Sequence, residues 1–472
     1  MLLDRVARRR KVPRPPGPSG ASLLRAFTSR QPEASGDWFV RTAADYPRLC
    51  YLYGGPRRHT YVVNHPELVS EVLRTKGRVM RKGPPFQVMK ELFGEGMITS
   101  DEPLHKRQRS LAQPAFHAQH IGRYAAQMVA TAAEHERTWS DGRDLDMSHD
   151  MLGLTLAVVG RTLFGADLRG DVDEMGRSLG VALEGFRAFG YIPLGRALLR
   201  APLPIGRRTR AASERVDRVV RRVIAERRSR PSGPSAEPAG AAGTAEPDLL
   251  DLLMVPDAAG ERMSDEQLRD EAVTILIAGH ETVALALTWL WYLFAEHPDE
   301  ADAVRAEARE VLGDRLPTVD DFAALPRARA AIAESMRLYP PAWGFSRTVL
   351  EDTTLDGWPV PAGSVCAISM WALHRDPRFW DRPGEFRPGR WLTADGAFDE
   401  AAPGQPRGAW LPFGMGSRIC IGMSFAWTEA VLVLAVLIRD WHAELLPEAR
   451  VAPRGDVSLR PAYGVPMVLR KA

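Results

Sequence analysis

The chain has 472 residues, 45% of them hydrophobic, which suffices for a large buried core. A net charge of +3 is close to balance, and no basic helix carries interleaved aromatics, so nucleic acid is excluded as an expected partner and small molecules and proteins are favoured. Three cysteines leave no disulfide framework and fit a reducing, cytoplasmic compartment, while the longest wholly apolar run, residues 430–438, is nine residues where a membrane span needs about twenty.

The first residues precede Arg8-Arg9-Arg10-Lys11 with too short an apolar stretch for a signal peptide. Pro13-Arg14-Pro15-Pro16-Gly17-Pro18 follows as a stiff extended segment. Residues 1–20 are read as a basic, proline-rich solvated tail, with weak peripheral membrane contact as the alternative. Residues 40–75 read as a helix and then a hairpin, because Tyr51 to Tyr53 and His59 to Val63 are β-rich and Gly54-Gly55-Pro56 lies between them. Cys50 and Cys366 sit in strand-like apolar runs and read as core. Residues 105–228 are mostly helical by periodicity. Over 229–248, Ser, Pro, Gly, Ala and Glu dominate and no apolar period survives, which reads as a flexible surface loop inside one large domain, residues 21–472.

The helix after that loop is well marked. Ser264 with Gln267 three residues on predicts a capping box, Asp265 and Glu266 favour the positive helix end, and His297-Pro298 closes the other end. About thirty residues of apolar helix would run about 45 Å, so this element is expected at the centre of the fold.

Within it lies Ala278-Gly279-His280-Glu281-Thr282. A mid-helix Gly costs roughly 1 kcal/mol against Ala, and Thr282 can bond back to the carbonyl of Ala278, so both choices loosen the helix locally. An acid beside an alcohol can relay protons; read alone, however, the segment is a packed helix with one solvated charge. Glu334-Ser335-Met336-Arg337 sets opposite charges three apart on a helix face, and Phe386-Arg387-Pro388-Gly389-Arg390-Trp391 follows some fifty residues later. Near the end, Phe413-Gly414-Met415-Gly416-Ser417-Arg418-Ile419-Cys420-Ile421-Gly422 sets a cysteine in a glycine-studded turn before a long apolar helix. A thiolate there is held by backbone N–H groups, a helix N-terminus or a metal ion, and this turn can supply all three.

These segments together resemble the cytochrome P450 family of haem-thiolate monooxygenases, from about residue 40 to the end. The resemblance implies a mainly α fold with a small β portion, haem b with Cys420 as axial thiolate, and Phe413 and Gly422 beside it in the cofactor loop. It implies an oxygen-activating segment made of Ala278, Gly279, Glu281 and Thr282, in which Glu281 helps connect the Thr282 hydroxyl to solvent. It also implies a structural ion triad of Glu334, Arg337 and Arg390 behind the cysteine loop; the family's usual acid before that last arginine is Gly389 here. His105 and Arg109, four apart on one helix face, with Arg347 and Arg418, match the groups that hold the haem propionates. Many relatives carry Trp where this chain has His105. The substrate wall would be drawn from the loop between Arg81 and Ser100, Phe186, Phe189, Ala278, the segment Ala342-Trp343-Gly344-Phe345 and Tyr463. These residues are mostly apolar, so the expected reaction is hydroxylation of a hydrophobic small molecule, a terpenoid or fatty acyl compound, with dioxygen. No flavin or iron–sulfur motif is present in the sequence. Electrons are therefore expected from a separate ferredoxin with its reductase or a flavodoxin-type donor. The rival is a haem-thiolate isomerase, dehydratase or peroxygenase, but such relatives usually depart from the acid–alcohol pair kept here as Glu281 and Thr282.

Overall fold

The computed structural model describes residues 13–19, 21–22, 25–26, 29, 31, 33–53, 59–189, 195–229, 248–256, 260–401, 406 and 408–472. The basic run at 8–11, the turn at 54–56 and residues 230–247 of the expected loop lie outside them, as do the side chains of Phe186 and Phe189. Helix dominates and strands are few, which is the mainly α class with a small β portion. The chain folds into two compact units and passes between them several times, once at the peptide between Ile419 and Cys420.

The first unit takes residues 1–84, 342–385 and 404–419 and holds most of the β structure. The expected hairpin is present: Leu49–Tyr53 pairs antiparallel with His59–Val63, Cys50 lying opposite Val62. His59–Val63 runs parallel to Val365–Ser369, which pairs antiparallel with Gly344–Val349, and Met80–Lys82 closes the sheet on that strand. Tyr61, Val63, Val69, Val349, Ile368 and Leu411 pack into one apolar cluster with Cys366. Both Cys50 and Cys366 are fully buried, and burial pushes each thiol up to about 12.

The second unit takes residues 85–341, 386–403 and 420–472 and is built around the helix Asp265–Glu296. Its start is capped as the sequence predicts: the Ser264 hydroxyl accepts the Gln267 N–H at 3.2 Å and the Gln267 side chain accepts the Ser264 N–H at 3.1 Å. The helices Met147–Leu163, Pro204–Ser229, Pro326–Leu338 and Met423–Asp440 all pack against it. By length and composition the central helix could cross a membrane, yet 78% of its apolar window is buried in protein, as a core helix requires. Trp289 fixes its second half by stacking on Tyr339 at 4.2 Å and donating to the carbonyl of Leu459 at 2.9 Å. The β structure of this unit is small: a three-stranded sheet of Asp144–Asp146, Pro466–Lys471 and Trp441–Leu445, and the hairpin Pro453–Gly455 with Leu459–Pro461.

Candidate active site

In the first unit the turn before the cysteine depends on its glycines. Gly414 and Gly416 have φ of +71° and +76°, a region that L side chains avoid, and a Cβ on Gly416 would fall 2.2 Å from the carbonyl oxygen of Leu73. His374, buried in the same unit, accepts the N–H of Leu411 at 3.0 Å and so fixes the chain as it enters this turn. Phe413 and Arg418 follow, each half-buried. Arg347 lies on the strand Gly344–Val349, its guanidinium over the ring of Phe345 at 4.8 Å and donating to the Ser346 carbonyl at 3.1 Å.

Cys420 opens the second unit two residues before Gly422, the N-cap of the helix Met423–Asp440. Of the three free cysteines it is the exposed one. Protein packed around the remaining sides pushes its thiol above the ordinary value, opposed by a hydrogen bond from the Gly422 backbone and by the charge of Arg109. Those two groups are the stabilisers that a thiolate needs. Arg109 and His105 stand one turn apart on the helix Leu104–Ala112; His105 is buried, with its Nδ1 at 3.1 Å from Glu102 Oε1.

The central helix shows a second opening in the same unit. It is almost continuously buried from Leu268 to Phe294, but Ile277, Ala278, Gly279 and Thr282 are only partly covered. Thr282 Oγ1 donates to the Ala278 carbonyl at 2.8 Å, the back-bond expected from the sequence. Gly279 has a packing reason: a Cβ there would come within 3.1 Å of a Val159 methyl, where the helix Met147–Leu163 crosses. At the same crossing Thr155 Oγ1 donates to the carbonyl of His280 at 2.9 Å.

Glu281 departs from expectation. It is neither a solvated charge nor open to water: it is buried, accepting from Ser458 Oγ and from Arg460 Nε at 2.8 Å, with Arg460 Nη2 at 2.7 Å. Burial alone would raise its carboxyl, but the charge of Arg460 and the Ser458 bond hold it below the usual carboxylate range. Arg460 and Ser458 carry no signal in the sequence, since they sit on and beside a three-residue strand without pattern.

The structure brings Glu334, Arg337 and Arg390 together. Glu334 and Arg337 have no exposed surface; Glu334 accepts from Arg337 Nη2 at 2.8 Å and Nε at 2.9 Å, from Arg390 Nε at 2.9 Å, from Trp391 Nε1 at 2.8 Å and from the Arg387 N–H at 3.0 Å. Burial opposes ionisation, and the bonds of Arg337 with the charges of both arginines overcome it and keep the carboxyl low. Of the expected wall residues, Trp343 is buried edge-on to Phe39 at 6.0 Å, as core. Tyr463 is 46% exposed beneath the Arg450 guanidinium, a surface position that does not suit a pocket wall.

The site thus sets an exposed cysteine at a helix start in a mainly helical fold whose central helix carries a buried acid, Glu281, beside a partly open alcohol, Thr282. Residues 15–462 match the cytochrome P450 family, and the chain belongs to it. It is 38% identical over 424 residues to cyclooctatin synthase of Streptomyces melanosporofaciens, covering 89% of this chain and 88% of that one. Cyclooctat-9-en-7-ol 5-monooxygenase of the same organism is 35% identical, covering 83% and 82%. Pentalenene oxygenase of Streptomyces avermitilis is 32% identical, covering 88% of each. The crystal structure of the cytochrome P450DA haem domain superposes with a TM-score of 0.81 at 26% identity, over 98% of this chain and 99% of that chain. The chain is therefore an oxidoreductase of the P450 monooxygenase family.

Proposed function

We propose that this enzyme binds haem b through Cys420 and hydroxylates an apolar terpenoid, with dioxygen and a separate ferredoxin or flavodoxin-type electron donor. The observation that carries the reading is the exposed Cys420 thiol, steadied by the Gly422 N–H and Arg109 at a helix N-terminus. The donors of the second unit suit an iron porphyrin, with the soft sulfur of Cys420 for the metal and His105 and Arg109 for a propionate; Arg347 and Arg418, in the first unit, are assigned to the propionates by the family resemblance alone. Phe413 and Gly422 flank that loop on either side of the ligand. Bound haem supplies dioxygen activation, with the thiolate donating electron density that favours O–O cleavage.

The chain's own residues supply protons and an apolar surround. The Thr282 hydroxyl, parked on the Ala278 carbonyl at 2.8 Å, can turn to donate a proton into the open stretch of helix. Glu281 stands next to it as an ionised carboxylate that can take up and pass on a proton, paired with Arg460, whose side chain is 20% exposed. The terpenoid class rests on relatives named for pentalenene and cyclooctat-9-en-7-ol, an alkene and an alkenol. A cytoplasmic setting agrees with three free thiols.

The test is spectroscopic. Reconstituted with haem and reduced under carbon monoxide, the protein is expected to show the thiolate-shifted band, and Cys420→His to lose that band together with oxygen-dependent turnover. Turnover with peroxide substrate but none with oxygen plus reductant would establish the isomerase or peroxygenase rival instead.

A further inference from the structure

The helix Pro84–Phe93 is followed by a loop, residues 94–100, that lies outside any helix or strand. Thr99 and Ser100 donate to the Gly96 carbonyl and the Thr99 hydroxyl to that of Gly94, while three other backbone groups, the N–H and carbonyl of Glu95 and the N–H of Met97, are taken by side chains from elsewhere in the same unit. Asp270 Oδ2 accepts the N–H of Glu95 at 2.7 Å, and Glu271, with no exposed surface, accepts the N–H of Met97 at 3.1 Å. Gln108, buried on the helix that carries His105 and Arg109, donates to the Glu95 carbonyl and accepts from Ser100 Oγ, both at 2.6 Å. The close approach needs glycine twice. Gly94 has φ +76° and its Cβ would fall 2.0 Å from Asp270 Oδ1; a Cβ on Gly96 would fall 2.0 Å from Thr274 Oγ1.

Helical periodicity relates this fastening to the reacting segment. Ala278 lies seven residues and Thr282 eleven residues beyond Glu271, which puts each within about 20° of Glu271 around the helix axis. The loop is thus tied to the face that opens at Ala278 and Thr282, about 10 Å and about 16 Å away along the axis. Hydrogen bonds to carboxylates are shorter and stronger than those between neutral groups, so a backbone held by two of them does not reshape readily.

We infer that Asp270 and Glu271 are positioning residues that make the 94–100 loop a rigid wall of the substrate space, which selects rigid polycyclic hydrocarbons over flexible acyl chains. This rests on the haem-enzyme reading above. A preformed wall rewards a ligand that has no conformational freedom to lose, whereas a chain of equal carbon count must give up its rotamers to fit the same surface.

Two iron-ligating probes of equal carbon count decide it: 1-(1-adamantyl)imidazole and 1-decylimidazole, titrated optically into the haem-loaded protein. The expected result is a preference for the adamantyl probe of about tenfold or more, retained in Glu271→Gln, which keeps an acceptor, and reduced toward unity in Glu271→Leu. Gly94→Ala displaces the loop from its own side and should act like Glu271→Leu. In parallel, amide hydrogen exchange of Glu95 and Met97 should be slow and should accelerate by about tenfold or more in both disruptive variants. Unchanged probe selectivity with unchanged exchange in Glu271→Leu and Gly94→Ala would overturn the inference. Loss of unsubstituted imidazole binding in the unaltered protein would instead strike the haem reading, and the exchange measurement would still decide whether the carboxylates hold the loop.

Discussion

Glu334 binds two arginines, an indole N–H and a backbone N–H without any access to water. An ion cluster like this adds little to stability against an apolar replacement, yet breaking it strands buried charge. Glu334→Ala should therefore cost about 3–5 kcal/mol, read by chemical denaturation, and should lower haem retention. A stable, pigmented variant would mean that these bonds hold nothing essential. The cluster was legible because Glu334 and Arg337 stand one turn apart and the segment 386–391 has its own recognisable form. Arg460 was not: it meets Glu281 across 179 positions of sequence, and no local pattern on a three-residue strand announces a buried partner. The missed pairing also explains why Glu281 was expected in solvent. Asp270 and Glu271 went unmarked for the same reason: they stand where the polar first turns give way to the apolar stretch from Ala272, and nothing local names the loop backbone that they hold.

Among the elements, the central helix was the most legible, since its cap, its closing proline and its apolar length agree with one another. Ser264→Ala removes the hydroxyl half of the box and should cost about 1 kcal/mol, again read by denaturation, with haem binding unchanged. The neighbours of that helix could not be read off in the same way. Gly279 looks in sequence like a weakness in the helix, whereas the structure shows it admitting Val159 from the crossing helix. Contacts of this kind depend on how two helices cross, which is set by side chains distant in the chain.

Across the molecule, buried carboxylates set the pH range of stability. Glu281 and Glu334 are held below their ordinary values, so what they contribute is present above about pH 4.5 and is lost as pH falls through their folded values. Glu429, on the helix Met423–Asp440, behaves oppositely. Among the described residues neither of its oxygens has a partner, and burial raises its carboxyl well above the ordinary 4.5. The folded protein then keeps a proton that the unfolded chain releases, so stability falls as pH rises above about 4.5, by at most about 1.4 kcal/mol per pH unit. Glu429→Gln should abolish that slope, and denaturation midpoints taken from pH 5 to 8 should diverge steadily in the variant's favour. Parallel curves would show that Glu429 is ionised inside the fold.

The unequal treatment of the three sulfurs has a practical corollary. Cys50 and Cys366 are sealed in the sheet with thiols near 12, so an electrophile such as iodoacetamide has a single address on the intact pigment-free chain, namely Cys420. Mass spectrometry should find one carbamidomethyl group there, attached faster at alkaline pH, and the tagged polypeptide should no longer colour on adding haemin. Loading the cofactor first should leave the same sulfur untagged, which turns a routine reagent into a counter for the occupied fraction.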